Sequence, residues 1–189
     1  FTITVVEEVC PDNIGAYWRF EEDGAPYRDH ILSREATCTN CPVSSGGGLI
    51  GSGGLLDFDG FDDEVSVADD DSFDWGADVS FSIEFWVNTL DSSSGTKVVI
   101  GRYETLASHW WVGINEDGTV GFQLGADRRI GETGPAVNDG SWHHVVAVRD
   151  GGSNTTAIYV DGARLDHETY DYTEGFAAAV AMNIGYLNT

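Results

Sequence analysis

Apolar and polar residues alternate along most of this chain. Phe1, Ile3 and Val5 share one face of a two-residue repeat and Thr2 and Thr4 the other, which predicts a strand over residues 1–9. A second short strand is predicted over residues 16–20, ending in acidic residues. Residues 23–54 break the pattern and read as loop, with Cys38-Thr39-Asn40-Cys41 and the run Ser44-Ser45-Gly46-Gly47-Gly48. Strand character resumes over residues 55–67 around an Asp59-Gly60 turn. Phe81, Ile83, Phe85 and Val87 then alternate with Ser82, Glu84, Trp86 and Asn88, and residues 98–103 form another strand. Trp110, Val112 and Ile114 lead into Asn115-Glu116-Asp117-Gly118, a hairpin turn, from which Val120, Phe122 and Leu124 return. Trp142, His144, Val146 and Val148 predict a strand; Ile158 and Val160 follow, turned by Asp161-Gly162, and Val180, Met182 and Ile184 come last. Only residues 176–181 tolerate a helix, and they are few. Many short strands at near-regular spacing predict an all-β antiparallel β-sandwich or jelly roll.

Composition agrees with one such domain. The 189 residues are 41% hydrophobic and 12% aromatic, enough for a full core, and 24 Gly against 4 Pro suit tight turns. The expected division is an N-terminal strand or arm, 1–9, and a sandwich domain, 10–189. No apolar run approaches about 18 residues, so no membrane span is expected. The net charge of -23 repels nucleic acid and anionic lipid. It leaves hydrated cations, basic partners or solubility at high salt, where screening blunts self-repulsion. Lys97 is the only lysine.

The three cysteines are Cys10, Cys38 and Cys41. The close pair supplies half a zinc site, and no second pair completes it. A redox motif would need a helix after it. A loop disulfide in an oxidising compartment, extracellular or at the cell surface, is the expectation, with Cys10 able to pair with either partner or with a neighbouring molecule.

Six fragments occur in a telling order: Ala16-Tyr17-Trp18-Arg19-Phe20-Glu21-Glu22, Leu56-Asp57-Phe58-Asp59-Gly60, Phe81-Ser82-Ile83-Glu84-Phe85-Trp86-Val87, Ser141-Trp142-His143-His144-Val145-Val146, Ile158-Tyr159-Val160-Asp161-Gly162 and Asn183-Ile184-Gly185. Together they resemble the laminin-G-like branch of the concanavalin-A-like lectin/glucanase superfamily, over residues 14–188. The resemblance implies a concanavalin-A-like jelly roll. It also implies a final strand after the Ile-Gly strand, which this sequence lacks, whereas residues 1–9 precede the usual start. Phe1, Ile3 and Val5 are therefore expected to fill a strand position, in their own subunit or in a neighbour as a homopolymer contact. The alternative is that this segment is the tail of a preceding domain.

Ten carboxylates crowd residues 57–78, and a hard divalent cation would relieve their repulsion. An EF-hand is excluded, because the glycine after Asp59 comes too early and no Glu closes a twelve-residue loop. The resemblance implies structural calcium (Ca2+) between Glu21 or Glu22 and the Asp59-Gly60 turn, with Asp62 and Asp63 nearby; the competing reading is a solvated acidic face. It also implies functional calcium on a rim formed by residues 102–108 and 186–188, where only Glu104 and Asn188 offer side-chain oxygens and the acidic cluster expected after Ile-Gly is missing. Sugar binding would need aromatic platforms beside polar groups. Tyr103, His109 and Trp111 are the expected ones, with Glu104 beside them and Trp75 and Trp110 as further candidates. The glucanase pair Glu-x-Asp-x-x-Glu is missing from every predicted strand, and His143 and His144 have no nucleophile nearby. The expected function is non-catalytic: binding of a glycan or protein ligand on a cell surface or matrix, or assembly into an extracellular filament.

Overall fold

The computed structural model describes residues 13–49, 54–126 and 128–187. Its strands are β1 (Ala36–Thr37), β2 (Val43–Gly46), β3 (Gly54–Asp57), β4 (Val65–Val67), β5 (Phe81–Val87), β6 (Lys97–Arg102) and β7 (Trp110–Ile114). They continue as β8 (Val120–Leu124), β9 (Arg128–Ile130), β10 (His143–Asp150), β11 (Thr155–Val160), β12 (Ala163–Thr169) and β13 (Met182–Ile184). A seven-stranded sheet runs β1-β4-β13-β6-β7-β8-β9, a four-stranded sheet β12-β11-β10-β5, and β2-β3 form a separate hairpin. All pairings are antiparallel. The expected all-β sandwich is the observed fold. No helix among the described residues is long and apolar enough to cross a membrane.

Two-residue alternation decides what each strand buries. In β7, Trp110, Val112 and Ile114 face the opposing sheet, and the paired residues Leu124, Phe122 and Val120 of β8 do the same. The four-stranded sheet answers with Val145, Ala147, Ile158 and Val160. Trp110 is fully buried, with Trp75 at 5.1 Å and Phe81 stacked on Trp75 at 3.8 Å. Trp75 and Trp110 are thus core residues. Burying an aromatic of this size contributes roughly 2–3 kcal/mol.

Two arginines are also fully buried, and both tie loops to the sandwich. Arg102, on the inward face of β6, donates to the carbonyl oxygens of Phe73, Ala178 and Val180 and to the carboxylates of Asp69 and Asp74. Arg149 donates to Ala77 O at 3.1 Å and Asn154 Oδ1 at 2.6 Å, with its guanidinium 4.8 Å from the Tyr172 ring.

Several expectations change. Residues 16–20 form no strand: Trp18 makes an isolated bridge to Asp29, and Phe20 takes the left-handed region at φ 54°. Backbone N–H groups of Tyr17, Ile31, Leu32 and Arg34 instead converge on the Asp29 carboxylate, which holds its pKa below the usual value against the opposing effect of burial. The segment read as loop contains β1 and β2, and the glycine-rich run pairs with β3. β9 and β12 were not legible, because Arg128-Arg129-Ile130 and Ala163–Thr169 carry too little apolar alternation. Residues 176–181 are not helical; Phe176 N donates to Trp75 O at 2.6 Å and its ring fills the core. Cys38 bonds Cys41. Cys10 and the strand expected over residues 1–9, with Phe1, Ile3 and Val5, lie outside the described residues, as does Asn188.

Candidate functional site

β7 and β8 end in the turn at Asn115-Glu116-Asp117-Gly118. Asn115 N and O bond Thr119 O and Gly118 N, and Gly118 is left-handed at φ 83°, so the hairpin closes tightly. Against this turn lie the β5–β6 loop and the residues after β9. Ser92, Gly95, Thr96, Asn115, Glu116, Asp117, Thr119, Arg129 and Glu132 line a shallow, open cleft of about 690 Å3.

The cleft is polar and internally braced. Asn115 is buried, and its amide donates to Thr119 Oγ1 at 2.9 Å and Gly131 O at 3.4 Å. Thr119 in turn donates from both Oγ1 and N to Asp117 Oδ1. Those two bonds, helped by the charge of Arg129, keep the exposed Asp117 carboxyl below its usual pKa and therefore ionised. Arg129 crosses the floor. Its Nη2 donates to Asn115 Oδ1 and to Thr96 Oγ1 at 3.4 Å, while Nε stands 3.9 Å from Glu132 Oε1. Beneath it the guanidinium lies 5.0 Å from the Trp111 ring centroid.

Glycine makes that layering possible. Trp111 sits on the outer face of the seven-stranded sheet, directly opposite Gly101 of β6 and Gln123 of β8. A Cβ on Gly121 would meet Asn115 Oδ1 at 2.9 Å, the Trp111 ring at 3.2 Å and Arg129 Nε at 3.3 Å. One bare backbone position thus lets tryptophan, arginine and asparagine meet.

The expected rim residues lie at the other end of β7. Tyr103 and His109 are neighbours, with rings 5.4 Å apart, and Glu104 Oε2 accepts from Ala179 N at 3.2 Å. His109 is buried between Leu106 O and the Gln123 amide, each at 2.9 Å, and burial lowers its pKa. Trp111 is only 7% exposed. Neither His109 nor Trp111 offers an open stacking face, because sheet neighbours cover both. Trp111 acts from below, as the support of Arg129. The sequence-based reading placed this tryptophan in a binding site but missed Asn115, Thr119 and Arg129. An arginine in a three-residue strand carries no local signal of what it covers.

The five residues expected to share calcium fall into two places. Asp59, Asp62 and Asp63 bring carboxylate oxygens within 4.8 Å of one another. Asp63 Oδ2 accepts from Asp59 N and Asp59 Oδ1 from Phe61 N, and left-handed Gly60 shapes the turn. Three convergent carboxylates offer oxygen ligands of the kind that a hard divalent cation takes. Glu21 and Glu22 do not join them. They line a separate hollow with Ser44, Ser45 and Gly46, beside Gly54, whose missing side chain admits the Phe20 carbonyl. Gly54 and Asp57 are opposite ends of β3, roughly 10 Å apart at about 3.3 Å per residue. Glu22 instead accepts from Arg28 N at 3.2 Å and Glu21 pairs with Arg19 at 2.9 Å.

The family model Laminin_G_3, of the concanavalin A-like lectin/glucanases superfamily, matches residues 58–189. The chain belongs to that superfamily. No curated protein matches its sequence. Among solved structures it is similar to the binding domain of Paraclostridial Mosquitocidal Protein 1, at 12% identity and a TM-score of 0.69, over 85% of this chain and 42% of that one. It is also similar to the binding domain of botulinum neurotoxin serotype D, at 14% identity and a TM-score of 0.58, over 84% and 40%. The binding domain of botulinum neurotoxin DC in complex with SialylT gives 14% identity and a TM-score of 0.55, over 84% and 40%. This chain of the superfamily spans less than half the length of each of these three. At such identities the likeness is one of fold. The Laminin_G_3 match leaves out residues 13–57, yet Tyr27 and Ala36 are fully buried in the common core, so the sandwich begins before the matched region.

Proposed function

We propose that this protein is a non-catalytic glycan-binding module acting at a cell surface or matrix, and that its glycan occupies the cleft at the β7–β8 turn. The observation that carries the reading is the fixed Asn115–Arg129 pair in a concave site ringed by hydroxyl and carboxylate groups. Sugar hydroxyls are donors and acceptors at once, and the Asn115–Arg129 pair is the fixed frame around which the exposed Thr96, Glu116, Asp117 and Glu132 groups can pair them without reordering. Hydrolysis would need two carboxylates about 5–10 Å apart flanking the bond to be cut. β5 carries a single carboxylate, Glu84, with the His144 ring at 3.8 Å. An extracellular setting accords with the Cys38–Cys41 disulfide. Calcium held by Asp59, Asp62 and Asp63 would brace the loop between β3 and β4, away from the cleft.

The test is a panel of immobilised oligosaccharides probed with the protein and with Thr96→Trp. Thr96 is exposed at the cleft mouth, so a large side chain there blocks entry without disturbing the core. Retention of the protein and loss of retention by Thr96→Trp is the expected result. Retention that Thr96→Trp leaves unchanged would move the site elsewhere, and no retention on any glycan would end the reading.

A further inference from the structure

We infer that the glycan accepted by the cleft carries no acidic group, because three carboxylates line the site and its one guanidinium has no free edge to offer. The inference rests on the proposed glycan-binding role and names the class of glycan.

Charge is the first part of the argument. Glu116, Asp117 and Glu132 line the cleft, and Arg129 is the only cation among its described lining residues. The other cation near these loops, Lys97, is turned away. Its ammonium donates to Ser93 O and Gly95 O and stands 3.9 Å from Asp91. An acidic sugar would enter a local excess of negative charge on a chain whose net charge is already -23.

Geometry is the second part, and it decides. A guanidinium grips a carboxylate or sulfate through two parallel N–H groups, using either the Nε–Nη2 edge or the Nη1–Nη2 edge. Both edges need Nη2. In this cleft Nη2 is committed to Asn115 Oδ1 and Thr96 Oγ1. Nε is buried and faces Glu132. One face of the guanidinium is turned to Trp111. Arg129 is therefore built into the floor as a fixed donor frame, with neither fork open to an anion. Asp117, Glu116 and Glu132 are acceptors for hydroxyl protons, which an uncharged sugar supplies and a sialic acid carboxylate does not.

Calorimetry on matched pairs tests this. Lactose and N-acetyllactosamine would each be compared with their α2,3-sialylated forms, on the intact chain at low salt. Binding of an uncharged member at least about 10-fold tighter than its sialylated partner is expected, equivalent to about 1.4 kcal/mol. The gap should narrow at about 1 M salt, where the Debye length is about 3 Å. It should also narrow in the Glu116→Gln/Glu132→Gln double variant, both sites being exposed. Equal or tighter binding of the sialylated member would overturn the inference and leave the glycan-binding reading standing. Binding of none of the four, together with no retention on the oligosaccharide panel, would overturn both.

Discussion

Arg102 Nη1 donates to Asp74 Oδ1 at 2.9 Å from a side chain that solvent does not reach at all. Asp69 accepts from the same guanidinium at 2.5 Å, and Asp70 pairs with Arg34 at 3.2 Å. Three of the carboxylates that crowd residues 57–78 are thereby spoken for by internal arginines. That part of the acidic run is a set of counter-charges for cations that the fold has buried.

A prediction follows for stability. Arg102→Met strips three carbonyl oxygens and two carboxylates of their donor, and the loops holding Phe73 and residues 178–180 lose their common tie. Removing one partner from a buried charged network costs about 3–5 kcal/mol. Urea unfolding should report a loss of that size. Asp74→Ala, whose carboxylate is partly exposed, should lose about 1–3 kcal/mol. A neutral Arg102→Met would show that the network is dispensable.

The strands that alternate clearly were readable in advance, and the reason is packing. Phe81–Val87, Trp110–Ile114 and Val120–Leu124 put every second residue against the opposing sheet; burial alternates with the pattern in Phe81–Val87, while the other two strands are covered on their outer face as well. Residues 16–20 alternate too, but Asp29 takes the backbone N–H of Tyr17 together with those of Ile31, Leu32 and Arg34, and the left-handed Phe20 ends the extension. Local pattern cannot report a carboxylate that arrives from twelve residues away. The cleft was illegible for a related reason. Asn115 reads as a turn residue and Arg129 as an edge residue, and only the register Gln123↔Arg129 and the bare Gly121 place them over Trp111. Asp59, Asp62 and Asp63 were legible because they lie within five residues of one another. Glu21 and Glu22 were joined to them by resemblance alone, and β3 keeps them apart.

His143 gives a pH dependence whose sign can be worked out. Its ring contacts Asp161 Oδ2 at 2.8 Å and Asp139 Oδ1 at 3.2 Å. The bond to Asp161 leads in raising its pKa above 6.5, against a smaller opposing effect of burial. A raised folded pKa means stability that is fully present below pH 6.5 and is lost as pH rises through the folded value. Buried His109 acts in the opposite sense. Its lowered pKa removes stability as pH falls below 6.5. The His143 contribution is therefore read as a difference: the melting-temperature gap between the protein and His143→Gln should be widest below pH 6.5 and close above it. A gap that stays constant across pH 5–9, the range expected to bracket this titration, would show that the Asp139–His143–Asp161 contact carries no proton linkage.

For calcium the expected outcome is a rise in melting temperature when calcium is added to chelator-treated protein. A cation at about 100 times its dissociation constant stabilises the folded state by about 2.7 kcal/mol. Asp62→Asn should abolish the rise, because it withdraws one of three convergent carboxylates. Glu21→Gln and Glu22→Gln should leave it intact, since both residues line the other hollow. Scanning fluorimetry separates these cases. Unchanged melting on adding calcium would return the triad to an ordinary solvated turn.

Arg129→Lys separates placement from charge in the cleft. Lysine keeps the positive charge but has neither the planar face that lies on Trp111 nor the several fixed N–H groups that reach Asn115 and Thr96. The loss of this half-buried cation–π contact amounts to about 1–2 kcal/mol, small enough for the fold to hold. If the guanidinium is the frame that sets the other cleft groups, glycan affinity should fall by about 10-fold, or about 1.4 kcal/mol, despite the conserved charge. Calorimetry with the tightest neutral glycan would read this, with the melting temperature as the control for folding. If charge alone mattered, Arg129→Lys would bind as the parent does and Arg129→Gln would not. Binding lost equally in both variants, with melting unchanged, is the result that the Asn115–Arg129–Trp111 layering requires.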